Sequence, residues 1–239
     1  MKNKKAVVLL SGGLDSATTL YLAKKRGFDC YCLIFDYGQR QIREIKSAQA
    51  IARSIRCLAQ IIKIALPWKG SALLDKKIKI RWVPGSLGPW GTKVIPNTYV
   101  PARNIIFLSF ALSYAEAIGA EAIFIGAHAQ DYSGYPDCRP EFFRAFSRVI
   151  STGTKAGRER KRIEIKTPLI GKGKAEIIKL GRQLGVPFAL TRSCYQGARQ
   201  PCGKCDSCYF RAKGFQEAGI KDPSLSQGQK NQRLSQYKI

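Results

Sequence analysis

Six consecutive residues, Ser11-Gly12-Gly13-Leu14-Asp15-Ser16, bring two hydroxyls, two glycines and a carboxylate directly after the apolar run Ala6-Val7-Val8-Leu9-Leu10. Glycine permits positive φ and a close approach of backbone to ligand, and a helix starting at Leu14 aims its unpaired N–H groups at the same point. This is chemistry for a pyrophosphate. Ser11 and Ser16 can donate hydroxyls to phosphate oxygens, while Asp15 can hold a magnesium ion or a substrate amine. No GxxxxGKS or GxxxxGKT occurs in the chain, so the loop is not of the Walker type. A strand-to-helix turn capped by Asp15 or Ser16 would account for any two of these residues, but not for all six.

A second constellation is Cys194, Cys202, Cys205 and Cys208, spaced C-x7-C-x2-C-x2-C with Gly203 between. Two-residue gaps let successive thiolates converge on one ion, and four of them make the closed tetrahedral set of a structural zinc. An iron–sulfur cluster is the competitor, because C-x2-C-x2-C also occurs in ferredoxins, although the Cys-Pro that follows there is lacking here. The other four cysteines include Cys30, Cys32 and Cys57 in strand-like runs, where they read as packing.

Three polar stretches add candidates. In 35–40 an acid, Asp36, and a guanidinium, Arg40, stand at the end of the second strand beside the presumed nucleotide. In 96–104, Arg103 at a helix start can clamp a phosphate or carboxylate in bidentate fashion. In 126–141, Asp131, Tyr135 and Asp137 lie among more polar and aromatic groups than a structural loop needs, with the chain's one histidine, His128, nearby.

These candidates need a scaffold. Strands are predicted at 6–10, 29–35, 58–64 and 122–125, alternating with helices near 14–26, 40–56 and 104–118. Such alternation implies an α/β fold, a doubly wound parallel sheet of Rossmann-like, nucleotide-binding type with its ligand at the carboxyl ends of the strands. Further helices are predicted at 140–151 and 174–184, and a short one after Cys205. The expected organisation is a nucleotide-binding domain over 1–190, carrying a long loop insertion at about 65–101. A small cysteine-rich metal region follows over 191–220, and then a flexible tail over 221–239, rich in Gln, Ser and Lys.

The 239 residues suffice for one such domain and an appendage. The apolar run after the basic start is too short for a signal peptide or a membrane span, which predicts a soluble, cytoplasmic protein without membrane partners. The 41 Lys and Arg against 16 Asp and Glu give +25 and predict affinity for polyanions at low salt. Because the basic residues are spread over the whole length, a solvated basic surface is expected and not a specific nucleic-acid groove.

The SGGLDS loop resembles the signature of the ATP-pyrophosphatase superfamily, whose members cleave ATP between its α and β phosphates and adenylate a substrate oxygen. Taken in order, SGGLDS, FDYGQR, PNTYVPARN, DYSGYPDCRPEF, TPLI with KAEIIKLG, and SCY followed by CGKCDSC resemble the 7-cyano-7-deazaguanine synthase family of queuosine and archaeosine precursor synthesis. The likeness covers about residues 4 to 215. It implies ATP-driven ligation of ammonia to 7-carboxy-7-deazaguanine to give the nitrile, one Zn2+ on the four cysteines, and a homodimer. Carried onto this chain it puts ATP and Mg2+ at Leu10, Ser11, Gly12, Gly13, Leu14, Asp15, Ser16 and Ala17. Lys174 is then a candidate for the charge on the α phosphate. Arg103, Asp131, Tyr135 and Asp137 are candidates for the deazaguanine and its carboxylate.

Two departures stand out: Gln41 where many relatives carry His, and Ala102 where they carry Gly. A general base at position 41 is thereby absent, so that it is dispensable or its role moves, with His128 a candidate. A pyrophosphatase-type enzyme that modifies a tRNA base is the alternative function. It would need a tRNA-binding domain or a catalytic cysteine pair that the sequence does not display.

Overall fold

A computed structural model describes residues 4–80, 95–128 and 134–224. Five parallel strands form one sheet in the order β3-β2-β1-β4-β5: β1 Lys5–Leu9, β2 Asp29–Asp36, β3 Leu58–Lys63, β4 Ala122–Phe124 and β5 Glu164–Lys166. The helices are α1 Leu14–Lys25, α2 Arg43–Ser54, α3 Arg103–Ile118, α4 Pro140–Gly153, α5 Lys155–Arg158, α6 Lys174–Gln183 and α7 Asp206–Ala218. The expected doubly wound sheet is what forms.

β1 shows why the sheet is covered on both sides. Its side chains alternate, Ala6 and Val8 joining one apolar cluster and Val7 and Leu9 the other, so every residue from 6 to 9 is buried. The first cluster carries α1, α2, α6 and Phe215 of α7; the second carries α3 and α4. The cysteine-rich end of the chain is thus packed into the body through α7 and α6. Cys30 and Cys32 of β2 are core residues and Cys57 is half-buried against them.

Strand order reverses between β1 and β4, which opens a crevice at the carboxyl ends of these two strands. Residues 10–16 leave β1 there, and residues 125–128 leave β4. Gly126 lets the two segments touch: a Cβ on it would lie 3.1 Å from Ser16 N and from Asp15 C.

Several boundaries differ from the sequence pattern. α7 is thirteen residues long, not short, because Phe215 and Gly214 continue to pack on α6 and the core. β5 has the sequence EIK and α5 the sequence KAGR; neither has an apolar run for periodicity to detect. Ends of the 65–101 insertion are tied together, Ala72 N–H donating to Asn97 O at 2.8 Å and Asn97 Nδ2 to Lys79 O at 2.9 Å. Trp82, Trp90, Asp131 and the 225–239 part of the tail lie outside the described residues.

Candidate functional site

The segment 10–16 is held ready by its own side chains. Ser16 Oγ accepts from Ser11 N–H at 3.2 Å and donates to Gly13 O at 3.1 Å, and the two hydroxyls meet at 3.0 Å. Gly12 takes φ +83°, and a Cβ there would lie 2.3 Å from the backbone oxygen of Glu44 on α2, so both conformation and space demand glycine. Leu14 and Ala17 are buried under the loop and contribute backbone only. The first turn of α1 then faces the crevice with its N–H groups and the carboxylate of Asp15.

Lys174, the first residue of α6, reaches this turn. Its Nζ donates to Asp15 Oδ1 at 2.8 Å, to Oδ2 at 2.9 Å and to His128 Nε2 at 2.9 Å. An ammonium only donates, so His128 Nε2 acts as an acceptor and orients Lys174. Loss of bulk water opposes ionisation of Asp15, yet the adjoining ammonium more than offsets this and holds its carboxyl below the usual carboxylate range. Lys174 is placed by α7: a Cβ on Gly214 would lie 2.4 Å from Lys174 Cγ, so the absence of a side chain there makes room for the lysine stem.

A cavity of about 240 Å³ opens beside the loop and is lined by Leu10, Ser11, Gly13, Asp15 and Ser16. Arg103, Tyr135, Glu44, Gln41 and Thr98 line it too, as do Ser193, Tyr195 and Ser207 of the cysteine-rich segment. Arg103 Nη1 donates to Tyr37 Oη at 3.2 Å, and the hydroxyls of Tyr135 and Thr98 meet at 2.7 Å. Burial pushes the Tyr37 phenol up. The Glu44 carboxyl is pushed up to about 7, because burial outweighs the opposing influence of Arg103 and of hydrogen bonds from Gln39 and Gln41.

Other expected residues sit elsewhere. Arg40 Nη2 donates to the carbonyls of Asp75 and Ile78, at 2.9 and 3.1 Å, and fastens the insertion to the body; Asp36 Oδ1 accepts from Gly38 N–H at 3.5 Å. Neither lines the cavity. Asp137 is buried, and its Oδ2 accepts from Asn104 N–H at 3.0 Å, capping α3 from outside that helix. This cap serves a helix entered through Ala102 at φ +53°, a conformation that glycine reaches freely and alanine does not.

Cys194, Cys202, Cys205 and Cys208 converge, with all four sulfurs within 4.8 Å of one another. Sulfurs on a tetrahedral ion with bonds of about 2.3 Å stand ~3.8 Å apart, so the set fits a metal. Backbone N–H groups of Cys202 and Lys204 donate to Cys194 Sγ at 3.3 Å and to Cys202 Sγ at 3.4 Å, which favours thiolates. The cluster touches the phosphate loop through its leading strand of chain, where Arg192 N–H donates to Gly12 O at 2.9 Å.

Sequence reasoning singled out position 41 but missed Glu44 as a member of the site. Glu44 falls within a predicted helix, 40–56, where a charged residue reads as part of a solvated face. Only the packing of α2 against the loop reveals that this end of the helix faces the crevice.

The chain matches the family model described as queuosine biosynthesis protein QueC over residues 5–219. It is 54% identical over 223 residues to 7-cyano-7-deazaguanine synthase 2 of Desulfitobacterium hafniense, covering 92% of each chain. It is 52% identical over 229 residues to a 7-cyano-7-deazaguanine synthase of Saccharophagus degradans, covering 94% of this chain and 98% of that one. Among solved structures it resembles NMN synthetase from Francisella tularensis, with a TM-score of 0.50 and 17% identity, covering 95% of this chain and 80% of that chain. That likeness concerns the fold alone.

Proposed function

This chain belongs to the QueC family of queuosine biosynthesis proteins, whose curated relatives are 7-cyano-7-deazaguanine synthases, and from that premise we propose how its crevice carries out the ligation. The substrates are 7-carboxy-7-deazaguanine, ammonia and ATP. A carboxylate is a poor acyl donor, so its oxygen attacks the α phosphorus of ATP and pyrophosphate leaves. Ammonia displaces AMP to give the amide. A second adenylation on the amide oxygen and loss of AMP give the nitrile, so that one site serves both rounds.

The observation that carries this reading is the cavity itself, which is lined both by the 10–16 loop and by Arg103. Ser11, Gly13, Ser16 and the first turn of α1 hold the β and γ phosphates in line for attack. Lys174 supplies positive charge at the α phosphate, released from Asp15 or shared with it. Arg103 receives the substrate carboxylate, with Tyr135 beside it. Mg2+, held by Asp15, would offset phosphate charge. Zn2+ on the four cysteines would be structural, since four thiolates leave no open position.

No described helix is long and apolar enough to cross a membrane. The cytoplasmic setting and the homodimer belong to the proposal; exposed Leu58 and Ile61 on edge strand β3 offer apolar surface for a second copy, which sedimentation would test. The direct test of function is incubation with 7-carboxy-7-deazaguanine, ammonium and ATP. The nitrile, AMP and pyrophosphate should appear together, two AMP per nitrile and without RNA. Product formed only when tRNA is present would favour a base-modifying enzyme instead.

A further inference from the structure

An amination needs more than an activated acyl group. At neutral pH ammonia is mostly ammonium, which has no lone pair, so the site must take a proton before nitrogen can attack. Neither the phosphate loop nor the Asp15–Lys174–His128 group can do this as arranged. Asp15 is held ionised by Lys174 and is a weak base, and His128 Nε2 is occupied by the lysine.

Resting on the synthase reading above, we infer that Glu44 and Gln41 form the ammonium subsite, with Glu44 the proton acceptor of the amination step. Glu44 and Gln41 line the cavity together with Arg103. Glu44 sits in the first turn of α2, against the loop at Gly12, and its Oε1 accepts from Gln39 Nε2 at 3.2 Å. Gln39 is in turn locked, donating to Phe35 O at 3.0 Å and accepting from Tyr37 N–H at 2.8 Å through Oε1. Gln41 is only 6% exposed, yet its Oε1 is a buried acceptor with no hydrogen-bond partner. A buried acceptor left in this state costs stability unless a ligand supplies a donor. Ammonium has four N–H donors and no acceptor, and a carboxylate and an amide oxygen lining one cavity are complementary to it.

The charged and titratable groups facing Glu44 are Arg103 from α3 and Tyr37 from the turn after β2, and Asp15 lines the same cavity. No cation closes an ion pair on Glu44 among the described residues, so its carboxylate is available for chemistry. Its carboxyl, pushed up to about 7, is matched to the exchange of a proton near neutral pH. In the step itself Glu44 removes one proton from ammonium. The freed lone pair forms the C–N bond to the adenylated carbonyl carbon. The C–O bond to AMP then breaks with its electron pair going to the phosphate oxygen, and a second proton passes from nitrogen to solvent. The amide and AMP result. Gln41 then serves as a hydrogen-bond acceptor and not as the base.

Glu44→Gln and Glu44→Asp in the full, metal-loaded chain test this. Pyrophosphate exchange into ATP, dependent on 7-carboxy-7-deazaguanine, reads adenylation; amide and nitrile formation read amination. Glu44→Gln should lower amination with ammonium by about 10²–10⁴-fold, while exchange continues and KM for 7-carboxy-7-deazaguanine stays put. It should also erase the rise in rate with pH that the wild type shows through about 7. Glu44→Asp should recover part of the rate. Hydroxylamine, already unprotonated at neutral pH, should aminate nearly as well in Glu44→Gln as in the wild type. Equal losses with ammonium and hydroxylamine, or exchange lost along with amination, would overturn the assignment of Glu44 alone. A wild-type chain that catalyses no exchange overturns the synthase reading together with it.

Discussion

The phosphate loop and the cysteine cluster are both built to gather charge, and they do so in opposite ways. At residues 11–16 the charge is imported with the ligand, and the protein is tied in advance by Ser11, Ser16 and the helix turn. At residues 194–208 the charge belongs to the protein, as four thiols within 4.8 Å that repel once ionised and cohere only around a cation. The loop is therefore organised by its own hydrogen bonds, whereas the cluster would need a cation to organise it. They are nonetheless joined twice, through Arg192 N–H to Gly12 O and through Gly214 of α7 to the stem of Lys174. The difference teaches that the crevice takes part of its lining, Ser193, Tyr195 and Ser207, from the cysteine-rich segment.

The largest effect expected from this asymmetry is loss of the metal. Structural zinc contributes roughly 10–16 kcal/mol in small isolated domains, far more than any single contact at the loop. Cys205→Ser, or prolonged chelation, should free the 191–218 segment to proteolysis and abolish turnover. Metal analysis of the wild type should give about one zinc per chain and no visible absorption. A brown protein with stoichiometric iron would move the assignment to a cluster, and wild-type turnover in Cys205→Ser would break the link between the two regions.

Asp15→Ala comes next. It removes the partner of Lys174 and the proposed ligand for magnesium without touching the core, so the fold should persist while kcat falls by a factor equivalent to about 2–4 kcal/mol, by analogy with a lost oxyanion-hole donor. A folded Asp15→Ala variant with unchanged kcat would remove the loop from catalysis.

How much of this comparison was legible in the sequence follows from its locality. The loop could be read because strand, glycine turn and helix are contiguous, and the cluster because its spacing is short. Lys174 could be named only through resemblance, since its meeting with Asp15 spans 159 positions. In sequence a carboxylate that binds substrate looks identical to one that caps a helix; Asp137 Oδ2 accepts from Asn104 N–H of α3 at 3.0 Å, and Asp137 does not line the cavity. Arg40 and Asp36 stand next to the crevice in sequence, yet Arg40 turns away to the carbonyls of Asp75 and Ile78. Glu44 and β5 were invisible for the reasons of pattern already given.

Gly214→Ala probes the joint itself. Its added methyl would meet the lysine stem at 2.4–2.9 Å, and overpacking of this sort costs typically 1–3 kcal/mol. Part of that should appear as a displaced Lys174, so kcat should fall by about tenfold with the metal content unchanged. A variant that loses stability but keeps kcat would show that α7 supports the fold without positioning the lysine.

The smallest effect expected is that of salt, and it separates the site from the surface. The +25 charge lies on residues dispersed along the chain, whereas the site's contact between Lys174 and Asp15 is 2.8 Å long with the lysine 12% exposed. At about 0.3 M salt the Debye length is roughly 6 Å, enough to screen the dispersed field but longer than the pair. Nonspecific binding of tRNA should therefore fall steeply, in proportion to the phosphates neutralised. Conversion of 7-carboxy-7-deazaguanine, assigned by the proposal to the cavity of about 240 Å³ lined by Arg103, Glu44 and the loop, should change by less than about twofold. Steady-state rates across this salt range, with and without tRNA, give the comparison. Turnover that collapses with salt, or that requires tRNA, would mean that the dispersed charge takes part in presenting the substrate, and the small cavity would no longer suffice to explain the reaction.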